Sequence, residues 1–96
     1  MHFVVSCTDK PGHMAVRQAN RAAHLEFVAA NASTILAGGP YLSEDGSTMI
    51  GSMLIARAPD VDSLRKVLAA DPYARANLFE SVTITPWKWV IGAPSA

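Results

Sequence analysis

The chain has 96 residues, a formal net charge of zero, 50% apolar residues and only 17% charged residues. This length indicates one domain, the apolar share excludes a disordered chain, and the neutral balance argues against a general nucleic-acid binder. No apolar run approaches the roughly 20 residues of a membrane span, and no basic segment leads into an apolar stretch as in a secretory signal. We therefore expect a cytoplasmic protein that binds neither nucleic acid nor membrane.

The first half of the chain predicts a strand, a long helix and a second strand. Residues His2–Cys7 are mostly β-branched or aromatic, which is typical of a strand. Residues Met14–Ala32 contain no glycine or proline and are rich in alanine, the strongest helix former, so they predict the longest helix. The apolar run Thr34–Ala37 predicts a second strand, which we expect to end in a tight turn at Gly38-Gly39-Pro40.

A hairpin and a second helix follow in the sequence. The polar residues Ser43–Ser47 predict the hairpin loop, and Thr48–Arg57 predicts the third strand. Gly51 in the middle of that strand indicates a bulge or the close approach of another group. Asp60 is a favourable N-cap, and the apolar residues after it recur at the i, i+3, i+4 spacing of an amphipathic helix.

The end of the chain predicts one more strand. The second helix ends at Asp71-Pro72, because a residue before proline avoids the α region. One further helical turn is expected within Ala74–Phe79, and Ser81–Ile91 predicts the fourth strand. Pro86 has no N–H to donate, so it belongs at an edge or a bulge. Gly92–Ala96 is read as a tail.

The order of these elements is β-α-β-β-α-β in a single domain over residues 1–96. The simplest solution is an α+β, ferredoxin-like fold, in which both helices cover one face of a four-stranded antiparallel sheet.

The predicted strands 3 and 4 are apolar on both faces, although helices cover only one face. Strand 4 places Val82, Ile84 and Val90 on one side and Trp87, Trp89 and Ile91 on the other. A second copy of the same sheet is the most economical cover, which predicts a homodimer with stacked sheets, a dimeric α/β barrel. The alternative is a monomer whose strand ends and aromatic side chains are partly exposed.

The long helix carries an unusual polar strip. On a helical wheel, Arg17, Asn20, His24 and Asn31 lie between two arcs of bulky apolar residues, and alanines occupy most of the remaining side. In one interpretation the alanine side packs and the strip faces water. In the other, the strip lines a cleft, where His24 is a titratable group and Arg17 or Arg21 meets an anion.

Other residues narrow the chemistry. Cys7 is the only cysteine, so no disulfide forms within the chain, and its apolar neighbours indicate a small buried residue. The three histidines show no zinc-ligand spacing, so no metal site is predicted. Asp71 is the candidate carboxylate partner of His24, although it also reads as a plain helix-ending turn.

Several short motifs occur together along nearly the whole chain. They are Arg21-Ala-Ala-His24-Leu25, Ala37-Gly-Gly-Pro40, Asp45-Gly46, Gly51-Ser52-Met53, Asp71-Pro72-Tyr73 and Pro86-Trp87. In this combination the chain resembles the YCII-related family of the dimeric α/β-barrel class. The resemblance implies an active-site pair of one histidine and one aspartate, which map onto His24 and Asp71. The family often has Ala-Gly-Leu where this chain has Ala-Asn77-Leu, and asparagine tolerates the left-handed backbone of such a turn.

The functional hypothesis is a cofactor-free acid–base enzyme. Asp71 would orient His24, which would move a proton on a small cyclic or aromatic carbonyl compound, as in a lyase, an isomerase or a dehalogenation-type elimination. Arg21 would hold a carboxylate or phenolate, and Tyr73 and Ser52 would donate hydrogen bonds. The alternative is a non-catalytic module that binds a small molecule, or a partner subunit.

Overall fold

The computed structural model describes residues 1–94, so the last two residues of the predicted tail lie outside the described part. The elements are β1 (His2–Asp9), α1 (Met14–Ala30), β2 (Ile35–Leu42), β3 (Met49–Arg57), α2 (Val61–Leu68), α3 (Pro72–Arg75) and β4 (Phe79–Trp87). The predicted order of strands and helices is confirmed. The short helix α3 is the expected extra turn, and it begins two residues before its predicted range and ends four residues before the end of that range.

The four strands form one antiparallel sheet in the order β2-β3-β1-β4. β1 is central, and its residues alternate between a buried inner face and a partly exposed outer face. The inner residues Phe3 and Val5 pack in one cluster with Leu64 of α2, and Phe27 of α1 packs against the same cluster. Helices therefore cover one face of the sheet, and the ferredoxin-like α+β fold is confirmed.

The core lies between this inner face and the helices. Its most buried large side chains are Phe3, Val5, Leu64, Tyr73 and Leu78, all at 1% exposure or less. Burying each such side chain contributes about 1.5–3 kcal/mol. Leu64 and Leu68, four residues apart, both pack on this core, which confirms the spacing predicted for the second helix. Asp60 caps that helix by accepting a hydrogen bond from the Ser63 N–H at 2.7 Å.

The second strand is longer than predicted, because β2 continues through Gly38-Gly39-Pro40 to Leu42. The expected tight turn at this point was wrong. β2 is an edge strand, where a proline without an N–H is tolerated and pairing with β3 outweighs local turn preference. Gly38 is needed there for space, because a Cβ would lie 2.9 Å from the Met53 carbonyl oxygen and 2.5 Å from Leu54 Cδ2.

The fourth strand begins and ends earlier than predicted. β4 starts at Phe79, which pairs with Asp9 beyond a register shift in β1, and it ends at Trp87. Trp89 and Ile91 therefore lie beyond the strand, and the outward row of β4 consists of Ser81, Thr83, Thr85 and Trp87. The expectation that strand 4 is apolar on both faces was wrong. Pro86 lies in an edge strand, as predicted.

Two backbone expectations are confirmed. A Cβ at Gly51 would collide with the carbonyl oxygen of Cys7 and would lie 3.1 Å from the Tyr41 ring, so this glycine permits the close approach of two neighbouring strands. Asn77 adopts the left-handed region with φ of 59°. In the turn around Asn77, the Leu78 N–H bonds back to the Tyr73 carbonyl, so the asparagine preserves the turn that leads from α3 into β4.

Candidate active site

The polar strip of α1 faces the interior of the fold. Arg17 and His24 are the two buried residues of this helix, whereas Ala15, Ala22 and Ala29 on the alanine side are exposed. The interpretation in which the strip faces water was therefore wrong. The bulky residues beside the strip hold it against the sheet, since Phe27 and Val28 pack on the hydrophobic core. The apolar residues of α1 therefore pack on the core and bury the polar side chains Arg17 and His24 beside them.

His24 and Asp71 meet in this interior although they are 47 residues apart. His24 Nδ1 lies 2.9 Å from Asp71 Oδ1, and the two residues are only 9% and 4% exposed. A carboxylate accepts hydrogen bonds, so Nδ1 carries the hydrogen and Nε2 keeps its lone pair in the neutral ring. No hydrogen bond to Nε2 is formed within residues 1–94, and every buried polar side-chain atom there that solvent does not reach has a partner. Nε2 is therefore open to a ligand.

The local sequence explains how Asp71 is positioned. Asp71 is the N-cap of α3, and its Oδ1 also accepts a hydrogen bond from the Tyr73 N–H at 2.9 Å. Pro72 occupies the first helical position, where its fixed φ is suited to starting a helix. The expectation that Asp71-Pro72 ends the second helix was wrong, because α2 already ends at Leu68. Asp71 instead begins α3 and is at the same time the carboxylate next to His24.

Tyr73 packs directly on the His24 ring. The two ring centroids are 4.0 Å apart at an interplanar angle of 12°, and the Arg17 guanidinium carbon lies 4.8 Å from the Tyr73 centroid. Burial raises the pKa of the Tyr73 phenol, although the positive charges of Arg17 and Arg21 lower it in part. Tyr73 is therefore a neutral phenol at neutral pH, able to donate its hydroxyl hydrogen.

Arg17 forms a buried ion pair that the sequence did not reveal. Its Nε and one terminal nitrogen donate to the two carboxylate oxygens of Asp9 at 2.6 and 2.9 Å, and that nitrogen also donates to Ser52 Oγ at 2.9 Å. Burial alone lowers the pKa of the Arg17 guanidinium, but its hydrogen bond with Asp9 and the Asp9 charge outweigh this and raise it overall. Arg17 is therefore a fixed cation that Asp9 already neutralises.

A cavity of about 160 Å³ opens between α1 and the strands β2 and β3. His24, Arg21, Tyr73 and Ser52 all line it, together with Arg17 and the backbone of Gly38-Gly39-Pro40. The structure therefore brings four of the five predicted site residues to one cavity, and the fifth, Asp71, supports His24 from behind. Arg21 is exposed and, unlike Arg17, makes no ion pair among the described residues. Its charge is thus available to an anionic group in the cavity.

The remaining candidate groups have other roles. Cys7 is 4% exposed, and burial, followed by the charges of Asp71 and Asp9, raises the pKa of its thiol to about 12. It is a protonated, buried thiol rather than a nucleophile.

Within residues 1–94, no three His, Cys, Asp or Glu side chains come together in a group able to hold a metal ion. No helix in the same stretch has the length and apolarity needed to cross a membrane.

The fold and the cavity define a small α+β protein of the ferredoxin-like class, with a ligand-sized cavity against a buried histidine–carboxylate pair. The sequence profile of the YCII-related domain matches residues 1–88. The chain belongs to the YCII-related family, and the resemblance drawn from its motifs is confirmed.

Two solved structures are similar to this chain. The first is 5-chloro-2-hydroxyhydroquinone dehydrochlorinase from Burkholderia phenoliruptrix AC1100 in complex with 2,5-dihydroxybenzoquinone. It is 35% identical, covers 92% of this chain and 94% of its own, and has a TM-score of 0.83. The second, Rv0793 from Mycobacterium tuberculosis, is 17% identical over 95% of this chain and 97% of its own, with a TM-score of 0.50, and supports the fold alone. No curated protein sequence matches at a significant level.

Proposed function

We propose that this protein is a cofactor-independent enzyme that eliminates a hydrogen halide from a small halogenated, hydroxylated aromatic compound. The observation that carries the proposal is the open Nε2 of His24 beside a ligand-sized cavity, with Nδ1 held by buried Asp71. The similar dehydrochlorinase is a second support, because it acts on a chlorinated hydroxyhydroquinone and binds a dihydroxybenzoquinone.

His24 is the general base in this proposal. Its Nε2 removes a proton from one ring hydroxyl and returns it to the ring carbon that carries the halogen, which gives a keto tautomer with a tetrahedral carbon. Nε2 then removes the proton of a second ring hydroxyl, whose electron pair forms the second carbonyl and shifts the ring double bond as the halide ion leaves. The net loss is one proton and one halide ion, the product is a quinone, and no external oxidant is needed. Asp71 keeps the imidazole in the required tautomer and stabilises the imidazolium that forms. A positioned base of this kind contributes about 10²–10⁴-fold in rate.

Three further residues hold the substrate in this proposal. Arg21 binds a phenolate or carboxylate oxygen, since Asp9 does not neutralise its charge as it does that of Arg17. Tyr73 donates its hydroxyl hydrogen to a substrate oxygen that gains negative charge. Ser52 Oγ accepts a hydrogen bond from Arg17, so its own hydroxyl hydrogen is free to be donated to the substrate. These donors lie in a partly apolar cavity, where such hydrogen bonds are stronger than in water.

The decisive experiment measures halide release from halogenated hydroquinones, with 5-chloro-2-hydroxyhydroquinone as the first compound. We expect His24→Ala to lower kcat by about 10²–10⁴-fold, whereas His13→Ala, a histidine outside the cavity, keeps the wild-type rate. Circular dichroism on both variants checks that they fold. Turnover that survives His24→Ala undiminished would show that His24 is not the base. If no compound turns over, but a hydroxylated ring binds and His24→Ala abolishes binding, the chain is a small-molecule-binding module.

We also propose that the outer face of the sheet packs against a second copy of the chain. Val4 and Ile55 are paired neighbours on that face, and Met53 and Trp87 lie on it as well. Light scattering should give twice the chain mass of 10.2 kDa. Ile55→Lys should shift the mass to that of one chain, whereas Glu80→Lys on the exposed part of β4 should not. A wild-type mass near one chain would refute the dimer. The cytoplasmic location stays a prediction from the sequence.

A further inference from the structure

A second cavity lies on the other side of the histidine–carboxylate pair. Its volume is about 260 Å³, and it opens between the inner face of β1 and β4 and the segment from the end of α2 to α3. Asp71 lines this cavity but not the first one, whereas His24 lines the first but not the second. The two partners of one hydrogen bond thus each face a different cavity.

Asp71 presents an unused oxygen to this second cavity. The Asp71 carboxylate accepts two hydrogen bonds, one from His24 and one from the Tyr73 N–H. Both end on Oδ1. Among residues 1–94, no side-chain oxygen or nitrogen is both inaccessible to solvent and without a partner. Solvent therefore reaches Oδ2, although the residue as a whole is only 4% exposed. Since Asp71 lines the second cavity, we infer that Oδ2 opens into it.

The walls of the cavity determine what fits beside this oxygen. Val5, Leu68, Phe79 and Ile84 make them largely apolar, and the Cys7 thiol in the wall stays protonated. Several lining residues are exposed, so water enters the cavity, and an apolar ring that displaces this water gains by burying the apolar walls. An apolar cavity of roughly 150 Å³ already admits a benzene-sized ring. The carboxylate repels anions and accepts from neutral donors. Arg65, the one cation in the lining, is exposed, so water solvates its charge.

We propose that this cavity is a second ligand site, which takes a small neutral molecule with an apolar ring and one hydroxyl group that donates to Asp71 Oδ2. Such a bond draws negative charge away from Oδ1 and weakens its hold on His24, so the occupant makes His24 a weaker base. Binding at this site is independent of the proposed function, whereas the effect on turnover rests on it.

Phenol is the probe for the binding experiment, and anisole is the matched ring without a donor. In an NMR titration of the full chain, phenol should shift the amides of Leu68, Ala69 and Ile84 and leave Gly38 and Gly39 unchanged. Phenol should bind about tenfold more tightly than anisole, the gain of one hydrogen bond to a charged acceptor. Equal binding of the two rings, tighter binding of benzoate, or shifts confined to Gly38 and Gly39 would overturn the proposal.

A pair of neighbouring variants separates the two cavities. Ala69 lines the second cavity and Ala70 does not, and both are exposed. Ala69→Trp should fill the cavity and weaken phenol binding about tenfold or more, whereas Ala70→Trp should bind phenol as the wild type does. Undiminished phenol binding by a folded Ala69→Trp variant would refute the site.

The effect on turnover has its own readout. In the halide-release assay, phenol in the second cavity should lower kcat without raising KM, and Ala69→Trp should remove this inhibition. An increase in KM alone would mean that phenol competes for the first cavity, which would refute the coupling. If no substrate is turned over, the proposed function fails, while the NMR titration still decides the binding site.

Discussion

The helices α1 and α2 cover the same face of the sheet but bury opposite kinds of side chain. The one buried residue of α2 is Leu64, at 0% exposure. The buried residues of α1 are Arg17 and His24, and its alanines face solvent. α2 stabilises the fold by removing apolar surface from water, whereas α1 uses its apolar residues to hold polar groups inside. The type of residue on the inward face thus distinguishes α2, which packs the core, from α1, which lines the candidate site.

This arrangement requires that each buried polar group of α1 has a partner. An unpaired charge in the interior costs several kcal/mol. Arg17 is paired with Asp9, and His24 is paired with Asp71, so each has its partner on another element. α1 therefore depends on two specific pairs, while α2 depends on packing. The following substitutions test that contrast, beginning with the largest expected effect.

Arg17→Ala should lower the free energy of unfolding by about 3–5 kcal/mol, because it leaves the buried Asp9 carboxylate unpaired. Arg21→Ala on the exposed side of the same helix should change it by less than about 0.5 kcal/mol. Urea denaturation of both variants measures the difference. If both variants lose the same small amount of unfolding free energy, the ion pair with Asp9 does not stabilise the packing of α1.

Leu64→Ala should lower the free energy of unfolding by about 3 kcal/mol, the usual cost of a cavity left by a buried leucine. Since Leu64 does not line the first cavity, ligand binding by the folded protein should not change. Thermal melting and a ligand titration below the melting temperature measure the two quantities. A loss of binding in the first cavity by the folded variant would contradict the view that α1, and not α2, forms the wall of that cavity.

Asp60→Ala should cost about 1 kcal/mol of unfolding free energy, because the Ser63 N–H loses its acceptor at the start of α2. Asp60→Asn keeps an acceptor oxygen, so its free energy of unfolding should stay within a few tenths of a kcal/mol of the wild-type value. α1 has no side-chain hydrogen bond at its N-cap residue His13, so His13→Ala should lack this effect. Chemical denaturation of the three variants ranks them, and an Asn variant as unstable as the Ala variant would argue against the cap.

Ala22→Lys should have the smallest effect, a change of less than about 0.5 kcal/mol, since this alanine is on the exposed side of α1. The same denaturation experiment measures it. A loss of several kcal/mol would mean that another surface covers the alanine side, and the contrast between the two helices would then be wrong.

The sequence predicted those parts of the fold that depend on local chemistry. Asp60 as a cap, Asn77 in a left-handed turn and Pro86 in an edge strand each follow from the conformations that one residue type permits. The path of β2 through Gly38-Gly39-Pro40 did not follow, because pairing with β3 decides it. The register of such a pair depends on residues far away in the chain, which a local turn preference does not include.

The site divides in the same way. The polar strip of α1 is visible in the sequence, but its direction depends on the sheet beneath it. The pairing of His24 with Asp71 spans 47 residues. The residues alone left Asp71 open between a carboxylate partner and a plain turn, and the family resemblance favoured the pair. The ion pair of Asp9 and Arg17 was missed, although an aspartate at the end of β1 and an arginine on the first turn of α1 are only eight residues apart. An acidic strand end followed by a basic helix start is the pattern that would have indicated it.

Asp71 Oδ1 accepts from both His24 and the first turn of α3, and this has an evolutionary consequence. A descendant of this protein that loses its histidine still needs the aspartate to begin α3, so selection for folding alone retains it. The ring of His24 makes no other hydrogen bond among the described residues, although it packs on Tyr73, so the loss of His24 removes the pair and this packing but leaves the start of α3 intact. We therefore expect the aspartate to persist in descendants that have lost the histidine, and a comparison of related sequences tests this.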